Sequence, residues 1–271
     1  MIKNISVLDN KLNVAFLGAG NMASAIVQGL YHSGCYTLSV AEPHQPTLLR
    51  WQTDYAAQPL NINADVLILA VKPQQFSEAA KSLCGKILPN TVVISIMAGV
   101  SIIKISEALG GHSAIIRTMP NTPARIAQGI TGLYATPSCT LAHKKLVEDI
   151  MHSIGQTVYV DTEMQLDAVT ALSGSGPAYV FYIAQALLDA GVQLGLTPSI
   201  ARQLALATLQ GSAALAAQSG EDLIALREQV TSKGGTTAAA MDILHTRQVA
   251  QAFHAALAAA DARAKGLALL D

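Results

Sequence analysis

The stretch NVAFLGAGNMA, residues 13–23, decides how the first half of this chain is read. It starts as a short apolar run, breaks at Gly18, Ala19 and Gly20, and continues as a helical segment toward Ser33 and Gly34. The pattern is G-x-G-x-x-A between a strand and a helix. Gly18 permits the tight turn, Gly20 lets the backbone approach a pyrophosphate, and the small Ala23 lets helix and strand come close. The free N–H groups at the helix start, from Gly20 through Asn21 and Met22, suit an anion. A glycine-rich turn without a ligand shares this pattern. Here a strand precedes it, and a helix and a second strand follow in order, so a dinucleotide is the better reading.

Outward from that turn, apolar runs alternate with helical segments: NVAFLG (13–18), TLSVAE (37–42), DVLILAV (65–71), TVVISI (91–96), SAIIRT (113–118) and TVYV (157–160). They are rich in β-branched residues and bounded by turn formers. Several are too uniformly apolar for a sheet with one wet face. A mostly parallel sheet covered on both sides by crossover helices is implied. After Asp161 the strand signals stop, and alanine- and leucine-rich segments follow, punctuated by Gly191, Gly195, Pro198 and Gly220. The expected organisation is an α/β domain over residues 1–163 and an all-α domain over 164–271.

Ligands of a parallel sheet gather at the carboxyl ends of its strands. Glu42 ends the second run, where an acid binds ribose hydroxyls and repels a 2′-phosphate, which favours NADH; the plainer reading is a carboxylate capping the loop before Pro43. Arg50 and His44 are the nearby candidates for holding a 2′-phosphate. Ala70, Val71, Lys72 and Pro73 end the third run, with Lys72 placed for a phosphate or a substrate carboxylate, or simply solvated. Ala98 and Gly99 offer backbone near the nicotinamide end, and Ser101 is a helix cap.

The chain of 271 residues has a formal net charge of −1, which gives no pull toward nucleic acid or acidic lipid. Its 3 cysteines are odd in number and scattered, which fits neither a disulfide framework nor a zinc site and suits a cytoplasmic location. Hydrophobic residues make up 51% of it but aromatics only 4%, so the apolar excess lies in small side chains. Residues 169–188 and 203–220 are uncharged and long enough to test as membrane spans. Serines, glycines and a proline interrupt the first, and glutamines and serines the second, so helices packed on helices, some from another subunit, are expected instead. Asp9 and Lys11 interrupt the N-terminal apolar run before any signal-like cleavage site, and about ten residues precede the first strand.

No histidine stands beside a glycine turn or strand end with an evident partner, so no general base for an alcohol substrate is visible. No metal motif or G-x-S-x-G elbow occurs either. A cyclic imine, protonated in solution, needs less help. The segment VTSKGGTT (230–237) supplies a place to hold one. Gly234 and Gly235 reach backbone angles closed to other residues, and the N–H groups of Gly235, Thr236 and Thr237 then line a small cavity at the mouth of a helix expected over 238–244. Helix-end charge and the hydroxyls of Thr231, Ser232, Thr236 and Thr237 suit a carboxylate there. A hydroxyl-rich cap explains one or two of these residues, and four exceed what capping needs.

Taken together, FLGAGNMA (16–23), AVKP (70–73), SIMAGVSI (95–102), RTMPNTPA (117–124), LSGSGPAYVF (172–181) and VTSKGGTT closely resemble pyrroline-5-carboxylate reductase. The resemblance implies a Rossmann-like N-terminal domain, an all-α C-terminal dimerisation domain, and reduction of 1-pyrroline-5-carboxylate to L-proline by NADPH or NADH. It implies that the amides of Gly235, Thr236 and Thr237 hold the substrate carboxylate beside Gly234, that Thr237 bonds or protonates the ring nitrogen, and that Ser232 supports the cavity. Met119 and Asn121 would lie near the nicotinamide, and the loop 173–177 would start the helix facing it. A homodimer through the C-terminal helices is implied, built in the family into larger rings such as a decamer. Two positions depart from the family: Lys233 stands where proline is common, and Glu42 where NADPH-preferring relatives carry small polar or basic residues. A β-hydroxyacid dehydrogenase of similar plan would need a lysine on the first long helix of the second half, and residues 177–194 hold none. A nucleotide sensor without turnover would have no use for the hydroxyl-rich cavity.

Overall fold

A computed structural model of the chain describes residues 11–268; the segment before the first strand lies outside the described residues. Strand β1 (Leu12–Leu17) runs through the glycine turn into α1 (Asn21–Ser33), β2 (Tyr36–Ala41) and α2 (Gln45–Tyr55). Then follow β3 (Gln58–Pro59), β4 (Val66–Leu69), α3 (Phe76–Ala80), β5 (Val92–Ser95), α4 (Ile102–Ala108) and β6 (Ile115–Met119). A 3₁₀ turn (Thr122–Ile126) leads to β7 (Gly129–Ala135), α5 (Leu141–His152) and β8 (Gly155–Tyr159).

The eight strands form one sheet in the order β3-β2-β1-β4-β5-β6-β7-β8. Neighbours are parallel except β6 and β7, which pair antiparallel with Thr118 opposite Leu133. The link between those two strands is a single 3₁₀ turn, too short for the crossover that a parallel neighbour needs. Every residue of β4 and of β5 is buried, as expected of strands covered on both faces. Period-two alternation divides their side chains between two cores. Phe16, Ile68 and Ile94 join Ile26 and Trp51 under α1 and α2. Leu17, Leu69 and Val93 join Phe76, Leu83 and Ile105 under α3 and α4.

Two strands escape the sequence pattern. β3 is a two-residue edge ending in Pro59, which no run marks. β7 reads GITGLYA, and glycine argues against a strand by propensity. Here it is required: a Cβ on Gly132 would stand 2.7 Å from Val169 Cγ1.

From α6 (Gln165–Val169) the chain is helical. A π-helical turn (Thr170–Gly174) precedes α7 (Gly176–Gln193), α8 (Pro198–Ser219), α9 (Leu223–Gln229), α10 (Thr236–Thr246) and α11 (Val249–Ala268). Of the described residues, those through Gly174 and from Ala260 onward make one compact unit, and Ser175–Ala259 make a second. In the second unit α7 and α8 pack closely through small residues. A Cβ on Gly191 would lie 3.1 Å from the Cβ of Ala201. α7, α9 and α10 bury no residue, and α8 buries only Ala201 and Ala205. Phe181, Tyr182, Leu194 and Leu204 stand exposed. No helix among the described residues is long and apolar enough to cross a membrane.

Candidate active site

The first unit collects its candidates at one edge. Because β1, β2, β4, β5 and β6 run parallel, the residues that follow each of them share the carboxyl-end side of the sheet. These are Gly18 and Gly20, Glu42, Ala70 to Pro73, Ala98 and Gly99, and Met119 to Asn121.

Gly18 has φ +96°, and its N–H donates to Ala41 O at 2.9 Å. A Cβ there would meet the Ala70 carbonyl oxygen at 2.8 Å and Val71 N at 2.9 Å, so only glycine closes the turn against the end of β4. Gly20 caps α1 with no side-chain bond, and a Cβ on it would find no atom nearer than Ala70 O at 4.0 Å. The N–H groups of Gly20, Asn21 and Met22 meet no acceptor among the described residues. Open amides at a helix start, over a turn with room beside it, fit a pyrophosphate.

Glu42 is bonded more closely than its sequence suggests. Its Oε2 accepts from Ala19 N, and its Oε1 accepts from His44 N, both at 2.9 Å. Arg50 donates to Ser24 Oγ at 3.3 Å, and the His44 ring lies 2.7 Å from Thr47 Oγ1. Lys72 is exposed, caps the turn Pro73–Gln75 through its backbone, and pairs with no described acid. Gly99 has φ +77°, and Ser101 caps α4 by accepting from Lys104 N. Met119 ends β6, and its Cε fills the space where a Cβ on Gly174 would lie, so the π-helical turn rests on it. Asn121 is buried, and its Oδ1 accepts from Ile130 N at 3.0 Å. That bond anchors the start of β7, a structural task the sequence did not announce.

In the second unit, Gly234 has φ +72°, the left-handed angle expected of the glycine pair, whereas Gly235, at φ −82° and ψ 175°, is extended backbone open to any residue, against expectation. What requires glycine at 235 is space: it is the N-cap of α10, and a Cβ on it would stand 2.5 Å from Ser232 Oγ. Two further details of the expected cup change. α10 begins at Thr236, two residues before the expected 238, because the threonines join the helix rather than precede it. The Gly235 N–H donates to Ser232 O at 3.0 Å in a tight turn. The amides without an acceptor among the described residues are therefore those of Thr236, Thr237 and Ala238. Ala238 went unnoticed because its donor lies in the backbone, and only the position of the helix start reveals it.

Thr231 donates its hydroxyl to Arg227 O at 2.6 Å, closing α9. Ser232, Thr236 and Thr237 make no side-chain hydrogen bond among the described residues, and none caps α10. The hydroxyls are present and unspent. The acidity of His112 is shifted. Burial lowers its pKa, against main-chain bonds at Thr91 and Ala114, and its Nε2 lies 2.9 Å from Thr91 O, at the opposite edge of the sheet from the glycine turn.

A doubly wound sheet with an open glycine turn, continued by a helical segment, is the plan of the nicotinamide-dinucleotide oxidoreductases with a helical second domain. Residues 13–99 match the family model described as NADP oxidoreductase coenzyme F420-dependent, and residues 163–267 match that for pyrroline-5-carboxylate reductase dimerisation. The pyrroline-5-carboxylate reductase of Pseudomonas aeruginosa is 36% identical over 94% of this chain and 96% of its own, and that of Haemophilus influenzae 34% over 95% and 98%. The solved pyrroline-5-carboxylate reductase of Coxiella burnetii superposes with a TM-score of 0.88 at 37% identity, covering 95% of this chain and 99% of that one. The Plasmodium falciparum pyrroline carboxylate reductase, solved with NADP bound, does so at 0.82 and 27%, covering 95% and 98%. The chain belongs to the pyrroline-5-carboxylate reductase family.

Proposed function

We propose that this chain reduces 1-pyrroline-5-carboxylate to L-proline. The observation that carries the reading is the cup at the start of α10, with its free Thr236, Thr237 and Ala238 amides and unspent hydroxyls. NAD(P)H, when bound, supplies the hydride that the imine carbon accepts. The amides of Gly20, Asn21 and Met22 would hold its pyrophosphate, and the backbone of Ala98 and Gly99 would lie toward its nicotinamide.

The chain's own part is orientation. The α10 amides and the Ser232 hydroxyl hold the carboxylate with hydrogen bonds of about 1.5–3 kcal/mol each where the acceptor is charged. Gly234 and Gly235 let the backbone curl without a side chain filling the cup. The Thr237 hydroxyl serves both ends of the reaction: its oxygen accepts from the iminium N–H, and its O–H donates to the lone pair that appears on nitrogen in proline. A protonated imine becomes a neutral amine on gaining hydride, and that amine takes its second proton from water to give zwitterionic proline, so the hydride step itself needs no proton donor from the chain. That explains why no histidine or carboxylate is needed as acid or base.

The exposed apolar residues of α7 and α8 support a homodimer through these helices, of which a larger ring such as a decamer would be an assembly. Cys35, Cys84 and Cys139 are all free, which supports a cytoplasmic setting. The test is loss of nicotinamide absorbance on adding 1-pyrroline-5-carboxylate, with L-proline as the product; binding of nucleotide without turnover would make the chain a sensor.

A further inference from the structure

We propose that Glu42 makes this chain select the dinucleotide that lacks a 2′-phosphate. The proposal rests on the cofactor site described above and concerns which cofactor that site takes. Two N–H groups from different segments clamp the carboxylate, Ala19 in the glycine turn and His44 at the start of α2, so the negative charge is fixed at the carboxyl end of β2. In a parallel dinucleotide-binding sheet that is where the adenosine ribose lies.

Each carboxylate oxygen keeps a second lone pair, so a ribose 2′-hydroxyl can donate to it while both clamps stay closed. A 2′-phosphate would instead face a held carboxylate without a counter-ion. No described Lys, Arg or His forms an ion pair with Glu42. The two basic side chains that would receive a phosphate are engaged elsewhere: Arg50 rests on Ser24, which also takes the Trp51 Nε1 bond at 3.3 Å, and the His44 ring is on Thr47. The clamp also joins recognition to the phosphate site, because Ala19 belongs to the turn that presents the Gly20 amide.

Calorimetry with the full chain separates selection from mere bracing of the turn. The wild type binds NADH more tightly than NADPH by about tenfold or more, and adenosine 5′-monophosphate more tightly than adenosine 2′,5′-bisphosphate by a similar factor. Glu42→Gln keeps the length of the side chain and a carbonyl oxygen for Ala19 N. It shifts both ratios toward the phosphorylated ligand by about tenfold, which is about 1.4 kcal/mol. The ratio of kcat/KM for the two cofactors moves with them. A wild type that binds NADPH as well as NADH, or a variant that loses both ligands equally and keeps its ratio, overturns the proposal and leaves the cofactor site standing. Absence of binding by any of the four nucleotides overturns both. The wild-type ratios decide the matter even where the variant does not fold.

Discussion

The sheet unit and the helical unit treat apolar side chains in opposite ways. β4 and β5 bury all their residues, and the clusters on the two faces of the sheet are closed by the unit's own helices. α7, α9 and α10 bury none of theirs, and large side chains such as Phe181, at 67% exposure, are left mostly uncovered by the described residues. A fold that closes its own core needs no partner to bury it, while an open apolar face is stabilised by whatever covers it. Residues 163–267 match a dimerisation family, which supports oligomerisation, and the homodimer proposed above would cover this face.

The proposed chemistry divides in the same way, with the nucleotide turn in one unit and the carboxylate cup in the other, and substitutions can test it. The largest effect is expected from Gly18→Val, which forces a side chain onto Ala70 O at a φ of +96°. NADH affinity, read by calorimetry, falls about 100-fold or more, close to 3 kcal/mol of strain and overlap. An unchanged affinity would take this turn out of the nucleotide site. Next comes Thr237→Ala, which lowers kcat/KM for the imine by roughly 10–100-fold through one lost bond to a charged group. Nucleotide affinity stays as it was, and an equal loss of both would break the comparison. Phe181→Arg sharpens it further: sedimentation should show dimer dissociation rising about tenfold, a loss of about 1.4 kcal/mol of apolar burial. The same change at Leu49, 64% exposed but in the sheet unit, should leave the mass unchanged.

The smallest effect concerns acid. Burial lowers the His112 pKa in the folded chain, so the unfolded chain binds the proton first as pH falls below the ordinary value of about 6.5. Stability therefore declines from pH 7 toward pH 5. In His112→Gln that decline should be smaller by no more than about 1 kcal/mol once solvent screening is allowed for. Melting curves at the two pH values compare the slopes; identical slopes would show that His112 is not the group responsible.

What could be read from residues alone follows from where the information sits. β1, β2, β4, β5 and β6 were legible because hydrophobicity and β-branching repeat along them, and the glycine turn because each of its small residues answers a steric demand. β7 was hidden because Gly132 is selected by Val169, a contact across 37 positions that no local propensity carries. The two-residue β3 lies below any window. In the cup, residue types were legible but donors were not, since which amide is free depends on where α10 begins. The Glu42 clamp was legible in part: a cap on the loop, here the bond from His44 N, was one of its two readings, while the bond from Ala19 N was hidden because a main-chain partner leaves no signature in side-chain identity.

The contact between Arg117 and Glu163 bears on how the molecule can be divided. Arg117 Nη1 donates to Glu163 Oε1 at 2.6 Å, that same oxygen accepts from Ile102 N at 2.8 Å, and the arginine side chain is only 10% exposed. Glu163 thus bolts the exit of the sheet to β6 and to the first turn of α4. Removing that carboxylate alone, as in Glu163→Ala, would leave a mostly buried guanidinium without this acceptor, a loss of about 3–5 kcal/mol, so a cut ahead of residue 163 passes through a bond of the sheet unit rather than beside it.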